Sequence, residues 1–350
     1  MSSIGARSPT TCLWRERLAW TACIRYERQQ LKWIGSAAIL SGVATTALKT
    51  ANSCAPAGGG VGRESRTGDV HRGIIGTVVI EMSPEARKQS VAYVFTNASK
   101  TYDGVVPFFA HFGRRIVEIA GISAGDSVLD VAAGVGAVLL PAARIVGDSG
   151  RVTGIDLSEG MIAALSQRIR EQGLTNADAR LMDAEALEFG EAEFDAVICA
   201  FGIMFLPDAA RALRGFRRVV RPGGHIAVAV WSRGAPDFKL GELATQFGGM
   251  NFDAGPAPPW ADAAGLAAML EAAGFDQVRV VHEDATFDYA DVDEWWLTQM
   301  SHGARAYVDL LSPDRREPFR MAARRRYAEV TGAEGASSFM QRALIGLGHA

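Results

Sequence analysis

The stretch VLDVAAGVGAVLLPAARIVG, residues 128–147, constrains this chain more than any other. Val128, Leu129 and Val131 form the short apolar run of a parallel strand covered on both faces. Residues 137–146 open a mostly apolar helix directly behind it, and Ala132-Ala133-Gly134-Val135-Gly136 lies between the two. Gly134 and Gly136 have no Cβ, so the backbone there can take positive φ and come close to a ligand. The start of the helix adds N–H groups with no partner of their own. The spacing predicts a strand, a tight turn and a helix, with a ligand edge lying on the turn.

A dinucleotide turn would require G-x-G-x-x-G/A, whose last small residue lets the helix pack on the strand. Counted from Gly134 and Gly136, that position is Leu139, so the fingerprint fails. Further strands are expected at residues 151–156, 179–182, 194–200 and 225–231, alternating with helices, which means a parallel sheet covered on both sides. Residues 232–260 are rich in Gly, Pro and Phe with little periodicity and are expected to form a lid. Then come a helix at 261–273, strands at 277–282 and near 286–289, and helical pattern over 291–330. The fold expected is α/β: a doubly wound, mostly parallel seven-stranded sheet with helical N- and C-terminal additions.

Read from Asp130, the string DVAAGVG resembles the D-x-G-x-G-x-G turn of class I S-adenosylmethionine (SAM) methyltransferases, with Ala132 in place of the first glycine. Ala132 is expected to be tolerated if it keeps negative φ. GIDLSEGMI (154–162), Asp183-Ala184-Glu185, FDAVICAFGIMFLPD (194–208) and LRGFRRVVRPGGHIAVAVW (213–231) resemble the motifs that follow in the UbiE-like small-molecule branch, in the same order. The resemblance implies a Rossmann-like methyltransferase with SAM as cofactor. It implies a SAM site made of Tyr102, Asp130, Ala132, Gly134, Gly136, Asp156, Leu157, Asp183, Ala184, Ala200 and Phe201. In that site Asp156 takes the ribose hydroxyls, Asp183 the adenine amino group, and the Ala184 N–H a ring nitrogen. Tyr102 would close over the methionine end.

The reaction expected is methyl transfer to a small acceptor, apolar or aromatic, such as a quinone, polyketide, phenol or carboxylate. No Asn/Asp-Pro-Pro-Tyr/Phe follows strand four and no Pro-Cys occurs, which disfavours base methylation. The alternative is a SAM-binding regulator or other non-transferase of the same fold. His111 and His302 are the candidate bases, set against a structural or substrate-orienting role for each. Phe108, Phe109, Trp260, Trp295 and Trp296 are candidates for an acceptor pocket, against ordinary core. No metal site follows from the cysteine spacing.

Composition divides the 350-residue chain. Residues 1–80 carry a net charge of +6 and the remainder −9. An acidic body argues against sequence-independent nucleic-acid binding, which rests on many cationic contacts. Residues 33–48 are too short for the roughly 20 apolar residues of a membrane span. Residues 1–81 are therefore expected to be a disordered leader or upstream extension, with a membrane-anchoring or targeting segment as rivals. Ser83-Pro84-Glu85, an N-cap followed by proline at the first helical position, marks where structure begins. Residues 82–350 are expected to form the methyltransferase domain, in the cytoplasm, with its cofactor half at about 123–232 and lid and substrate-side elements at about 83–122, 233–260 and 291–350.

Overall fold

A strand covered on both faces carries apolar residues at consecutive positions, and β1 (Ser127–Val131) is buried from Val128 onward, its carboxylate Asp130 included. It lies inside a seven-stranded sheet in the computed structural model of the chain, which describes residues 83–232, 238–249, 257–332 and 335–350. The leader expected over 1–81 and part of the expected lid lie outside the described residues.

Ahead of β1 come α1 (Pro84–Ala98), where the Ala86 N–H donates to Ser83 Oγ, and α2 (Phe108–Ala120). After it come α3 (Leu139–Val146), β2 (Arg151–Asp156), α4 (Glu159–Glu171) and β3 (Ala177–Leu181). Next are β4 (Phe194–Ala200), α5 (Ala209–Val219), β5 (Val220–Trp231), α6 (Leu240–Gln246) and α7 (Ala263–Ala272). The order closes with β6 (Asp276–Tyr289), α8 (Val292–Met300), the single turn α9 (Ala306–Asp309), α10 (Pro313–Thr331) and β7 (Ser337–His349).

The strands lie in the order β3-β2-β1-β4-β5-β7-β6, and β7 runs antiparallel to both neighbours. Chain order reverses between β1 and β4, and open α/β sheets take their ligands at the carboxyl ends of the strands beside such a reversal. Phe112 and Ile116 of α2, Leu139 of α3 and Leu165 of α4 cover one face of the sheet. Phe216 of α5 and Leu270 of α7 cover the other.

The sequence reading needs three corrections. The strands expected at 277–282 and near 286–289 are one continuous β6, because Glu283, Asp284 and Ala285 keep the alternation of a half-buried strand rather than breaking it. The seventh strand is instead β7, so the helical stretch expected over 291–330 is an insertion between β6 and β7 rather than a C-terminal addition, and the chain returns to the sheet after it. The stretch expected to be irregular over 232–260 contains α6.

The β6–β7 pair also outruns the sheet. β7 pairs with β5 only from Ala343, opposite Trp231, whereas its pairing with β6 continues to Ser337, opposite Tyr289. Residues 337–342 and 284–289 thus form a two-stranded wall about 20 Å long at 3.3 Å per residue. The wall rises beyond the carboxyl end of β5, and α8 and α10 pack against it through Trp295, Trp296, Phe319 and Tyr327.

One contact sets the height of α2 above the ligand turn. A Cβ on Gly113 would stand 2.1 Å from the Ala137 carbonyl oxygen, a backbone atom with no room to retreat. Gly113→Ala is expected to destabilise the fold by about 1–3 kcal/mol through overpacking, read as a lower denaturation midpoint in urea; an unchanged midpoint would contradict this packing.

Candidate active site

The two strands that flank the reversal both end in left-handed residues, Ala132 with φ 56° after β1 and Phe201 with φ 61° after β4. Each costs an L residue about 1–2 kcal/mol, and such strain persists where the surroundings over-determine it. The condition that Ala132 keep negative φ is therefore not met. Its methyl is accommodated because residue 202 is glycine: a Cβ there would stand 2.4 Å from the Ala132 Cβ.

Two carboxylates hold the turn. The Gly134 N–H donates to Asp156 Oδ2 (2.9 Å) and the Ser158 N–H to Asp156 Oδ1 (2.9 Å), so the end of β2 fixes both the turn and the start of α4. The Leu139 N–H, at the start of α3, donates to Asp130 Oδ2 (3.0 Å). Burial raises the pKa of Asp130 well above the ordinary carboxyl range; the Leu139 bond opposes this and the nearby Asp156 adds to it. Burial raises Asp156 too, against the backbone N–H groups that stabilise its anion. Gly134 has open space where a Cβ would be, whereas a Cβ on Gly136 would run into Leu165 and Leu140. Gly134 faces the ligand side, and Gly136 lets α4 close up beneath the turn.

A cavity of about 30 Å³ lies on this turn, lined by Tyr102, Asp130, Ala132, Gly134, Ala200 and Phe201 together with Phe109 and neighbouring turn residues. Tyr102, in the segment between α1 and α2, stacks on Phe109 at 5.2 Å, and burial raises its phenol pKa. Of the expected SAM residues, Gly136, Asp156, Leu157, Asp183 and Ala184 do not line this cavity. Asp156 ends β2, with Leu157 next to it, and Asp183-Ala184 follows β3, along the same edge of the sheet. At about 4.8 Å between strands, the row from β3 to β4 is about 14 Å long.

These residues fit SAM on the chemistry of the donor set. Asp130 is a buried carboxyl with no cationic partner among the described residues, where an ammonium would be welcome. Asp156 keeps lone pairs beyond its two N–H bonds for hydroxyls. Asp183 is engaged: Lys88 of α1 reaches its Oδ2 (2.7 Å) and Glu185 Oε2 (2.6 Å). Burial lowers the Lys88 pKa, but the two carboxylates outweigh it and hold the ammonium above its ordinary value. α1 is thus clasped to the segment after β3 where the adenine edge was expected, and sequence reading did not find Lys88.

A second cavity, of about 200 Å³, opens on the far side of Phe109 and Trp231. Trp231 stacks on Phe201 at 4.0 Å, so these rings and Phe109 form the partition between the two spaces. Phe108, Phe238, Tyr289, Trp295 and Phe339 supply apolar wall, and Ser232, Gln299, His302, Gln341 and Arg342 the polar groups. Of the expected acceptor-pocket residues, Phe108, Phe109 and Trp295 are here. Trp260 packs against the opposite face of the sheet, and Trp296 is core beside Phe319. Phe339, Gln341 and Arg342 were missed because β7 was missed; the alternation Phe339-x-Gln341-x-Ala343 is the signal that could have found them.

The two candidate bases separate. His111 lines neither cavity; it packs edge-on against Phe112 and Phe287, and its Nε2 is buried without a partner. His302 lines the larger cavity, with its ring 5.4 Å from Phe108. Its Nδ1 accepts the Ala304 N–H (3.4 Å), which leaves the proton of the neutral ring on Nε2. Burial pushes its pKa down to about 4. A histidine in this state donates from Nε2 and has no lone pair there to take a proton.

A sequence model described as a methyltransferase domain matches residues 128–224. An aklanonic acid methyltransferase of Streptomyces sp. (strain C5) is 39% identical over 161 residues, 46% of this chain and 71% of that protein. A nocamycin O-methyltransferase of Saccharothrix syringae is 32% identical over 242 residues, 64% and 85% of the two chains. A ubiquinone/menaquinone biosynthesis C-methyltransferase of Shewanella halifaxensis is 32% identical over 218 residues, 56% and 87%.

Gly202→Ala is expected to destabilise the protein, and adding Ala132→Gly to recover part of the loss, with a coupling of about 0.5 kcal/mol or more in a double-mutant cycle; simple additivity would contradict the contact. For His302 the folded pKa, about 4, lies below the ordinary 6.5. The stability it contributes is present above pH 6.5 and lost as pH falls toward 4. Denaturation midpoints of wild type and His302→Gln should run parallel above pH 6.5 and converge on acidification, whereas a constant gap would contradict a buried neutral ring.

Proposed function

The chain belongs to the S-adenosylmethionine-dependent methyltransferases, and on that premise we propose that its methyl acceptor is a planar aromatic small molecule held in the chamber behind Phe109 and Trp231. The enzyme binds SAM and transfers its methyl group to a small-molecule acceptor. The observation that carries the choice of acceptor is the chamber wall, which is aromatic on several sides and includes no carboxylate among the described lining residues. Such a wall takes flat apolar rings and gives an amine cation no counter-charge. The relatives named for ubiquinone and menaquinone biosynthesis and for aklanonic acid support the same class.

SAM supplies, when bound, an electrophilic methyl on a sulfonium that is already a good leaving group. In this reading Asp130 receives the ammonium, Asp156 the ribose hydroxyls, and Asp183 with the Ala184 N–H the adenine edge, Lys88 sharing or releasing Asp183. Phe109 lines both compartments and, with Phe201 on the cofactor side and Trp231 on the acceptor side, aligns the acceptor with the methyl. Orientation of this kind supplies roughly 7–11 kcal/mol in favourable cases, against about 10²–10⁴-fold from a general base. Positioning therefore comes first, and His302 serves it as a donor. We assign residues 82–350 to the methyltransferase domain and place the reaction in the cytoplasm, with a diffusible acceptor rather than nucleic acid as partner; the acidic body supports this.

Incubation with methyl-labelled SAM and a panel of aromatic phenols, carboxylates and quinonoid rings should give labelled product. Tight SAM binding with no product across the panel would favour a non-transferase instead. Asp156→Ala is expected to weaken SAM and S-adenosylhomocysteine in parallel, by about 100-fold, and to lower the melting temperature because the Gly134 and Ser158 N–H groups lose their acceptor. Asp183→Ala should cost less affinity. Calorimetry showing unchanged SAM binding in Asp156→Ala would move the site off β2.

A further inference from the structure

Asp103, in the segment between α1 and α2, works against the fold in two ways. Its backbone is left-handed, with φ 55°, a conformation unfavourable to an L residue. Its carboxyl is partly buried, and that burial raises its pKa to about 6 in spite of two backbone N–H bonds and the charges of Arg168 on α4 and Arg114 on α2. A carboxyl raised in this way destabilises the fold when ionised: the loss is absent below the ordinary 3.8 and complete above about 6. At neutral pH the protein therefore keeps a charge at Asp103 that its stability would be better without. Strain and burial of this kind gather where a site needs them.

That charge is spent on the start of α2. Asp103 Oδ1 accepts the Phe109 N–H (3.0 Å) and Oδ2 the Ala110 N–H (2.7 Å). Pro107, at the N-cap, makes no side-chain bond, so Asp103 neutralises the positive end of the helix in its place. This end of α2 adjoins the cofactor turn. Phe109 lines the smaller cavity, and so does Tyr102, which precedes Asp103 in the chain. The charges of Asp103 and Asp156 both reach the Tyr102 phenol, and Arg168 donates to the Val135 carbonyl oxygen of the turn (3.3 Å). In the proposed site Asp130 takes the ammonium and Asp156 the ribose hydroxyls. The sulfur of SAM is bonded between those two groups, so it belongs to the stretch of cavity lined by Tyr102 and Phe109.

We propose that Asp103 sets the preference of this site for the cationic cofactor over its neutral product: its carboxylate cancels the positive end of α2 beside the sulfur, a sulfonium in SAM and a thioether in S-adenosylhomocysteine. The inference rests on the SAM site proposed above and adds a residue that acts on one atom of the ligand. Asp103 lines neither cavity, so it acts through its charge and not by contact. The two ligands share ammonium, carboxylate, ribose and adenine, and differ at sulfur by a methyl and one positive charge. A residue that only shapes the turn affects both alike, whereas a counter-charge at the sulfur affects SAM alone. Methyl transfer removes the charge that Asp103 favours, and the product is released from a site that no longer prefers it.

The test measures the Kd of SAM and of S-adenosylhomocysteine for the full chain by calorimetry, in wild type and Asp103→Asn, at about pH 7.5 and about pH 5, on either side of the Asp103 pKa. Asparagine keeps an acceptor for one of the two N–H groups and tolerates left-handed φ, so the variant is expected to fold. At the higher pH it should weaken SAM about tenfold and S-adenosylhomocysteine less than about twofold. Wild type should lose the same preference on acidification, while the variant, with nothing to protonate at this position, holds a constant ratio. Equal weakening of the two ligands by Asp103→Asn, or a ratio that follows pH identically in both proteins, overturns the role of Asp103 and spares the SAM site. Failure of both ligands to bind wild type overturns the site and the role together. If the variant does not fold, the wild-type ratio decides, and a ratio unchanged between the two pH values overturns the role.

Discussion

The hydrogen bond from the Gly134 N–H to Asp156 joins the turn after β1 to the end of β2, and the rest of the site depends on it. Backbone N–H groups at the start of a helix need acceptors. Asp156 and Asp130 meet this need at Gly134, Ser158 and Leu139. This solution places two carboxyls close together in a buried crevice, where each is held above its ordinary pKa. The same arrangement that shapes the turn thus leaves it with an electrostatic demand for positive charge, which the ammonium of SAM would answer in the proposed site.

The acceptor side arises from a second constraint, the length of the β6–β7 pair. Because these strands continue past β5, their last residues have no sheet to cover them and must be buried by something else. The helices inserted between them do so with Trp295, Trp296, Phe319 and Tyr327. The chamber is the space left between this helical cap and the rings at the end of β5. Phe109, Phe201 and Trp231 then separate it from the cofactor turn by the thickness of a side chain. In the proposed reading, the methyl carrier on one side and the acceptor on the other meet at that partition.

The parts of this arrangement legible in the sequence are local. The strand–turn–helix at 128–147, Asp156 at the end of its strand and the run of parallel strands each announce themselves within a few residues, because period and turn chemistry are short-range signals. What was illegible depends on residues distant in the chain. Lys88 meets Asp183 across 95 positions. The sign of φ at Ala132 is decided with Gly202, seventy positions on. β7 went unread because residues 343–347 are buried on both faces, and a short apolar run of that kind has no period by which to tell strand from helix. With β7 went Phe339, Gln341 and Arg342 of the chamber wall. The histidines were legible as candidates only; what separates them is a single backbone N–H on His302 Nδ1 and the packing of His111 against Phe287.

In the proposed arrangement, cofactor and acceptor occupy adjoining spaces at the carboxyl ends of β1, β2 and β4, on the two sides of Phe109 and Trp231. Amide hydrogen exchange, followed first with S-adenosylhomocysteine and then with an aromatic acceptor added, tests it most directly. The first ligand is expected to slow exchange at residues 132–136 and 156–158, and the second to add protection at 295–304 and 337–342. Protection by the cofactor product elsewhere in the sheet, or acceptor protection confined to the face covered by α5 and α7, would contradict it.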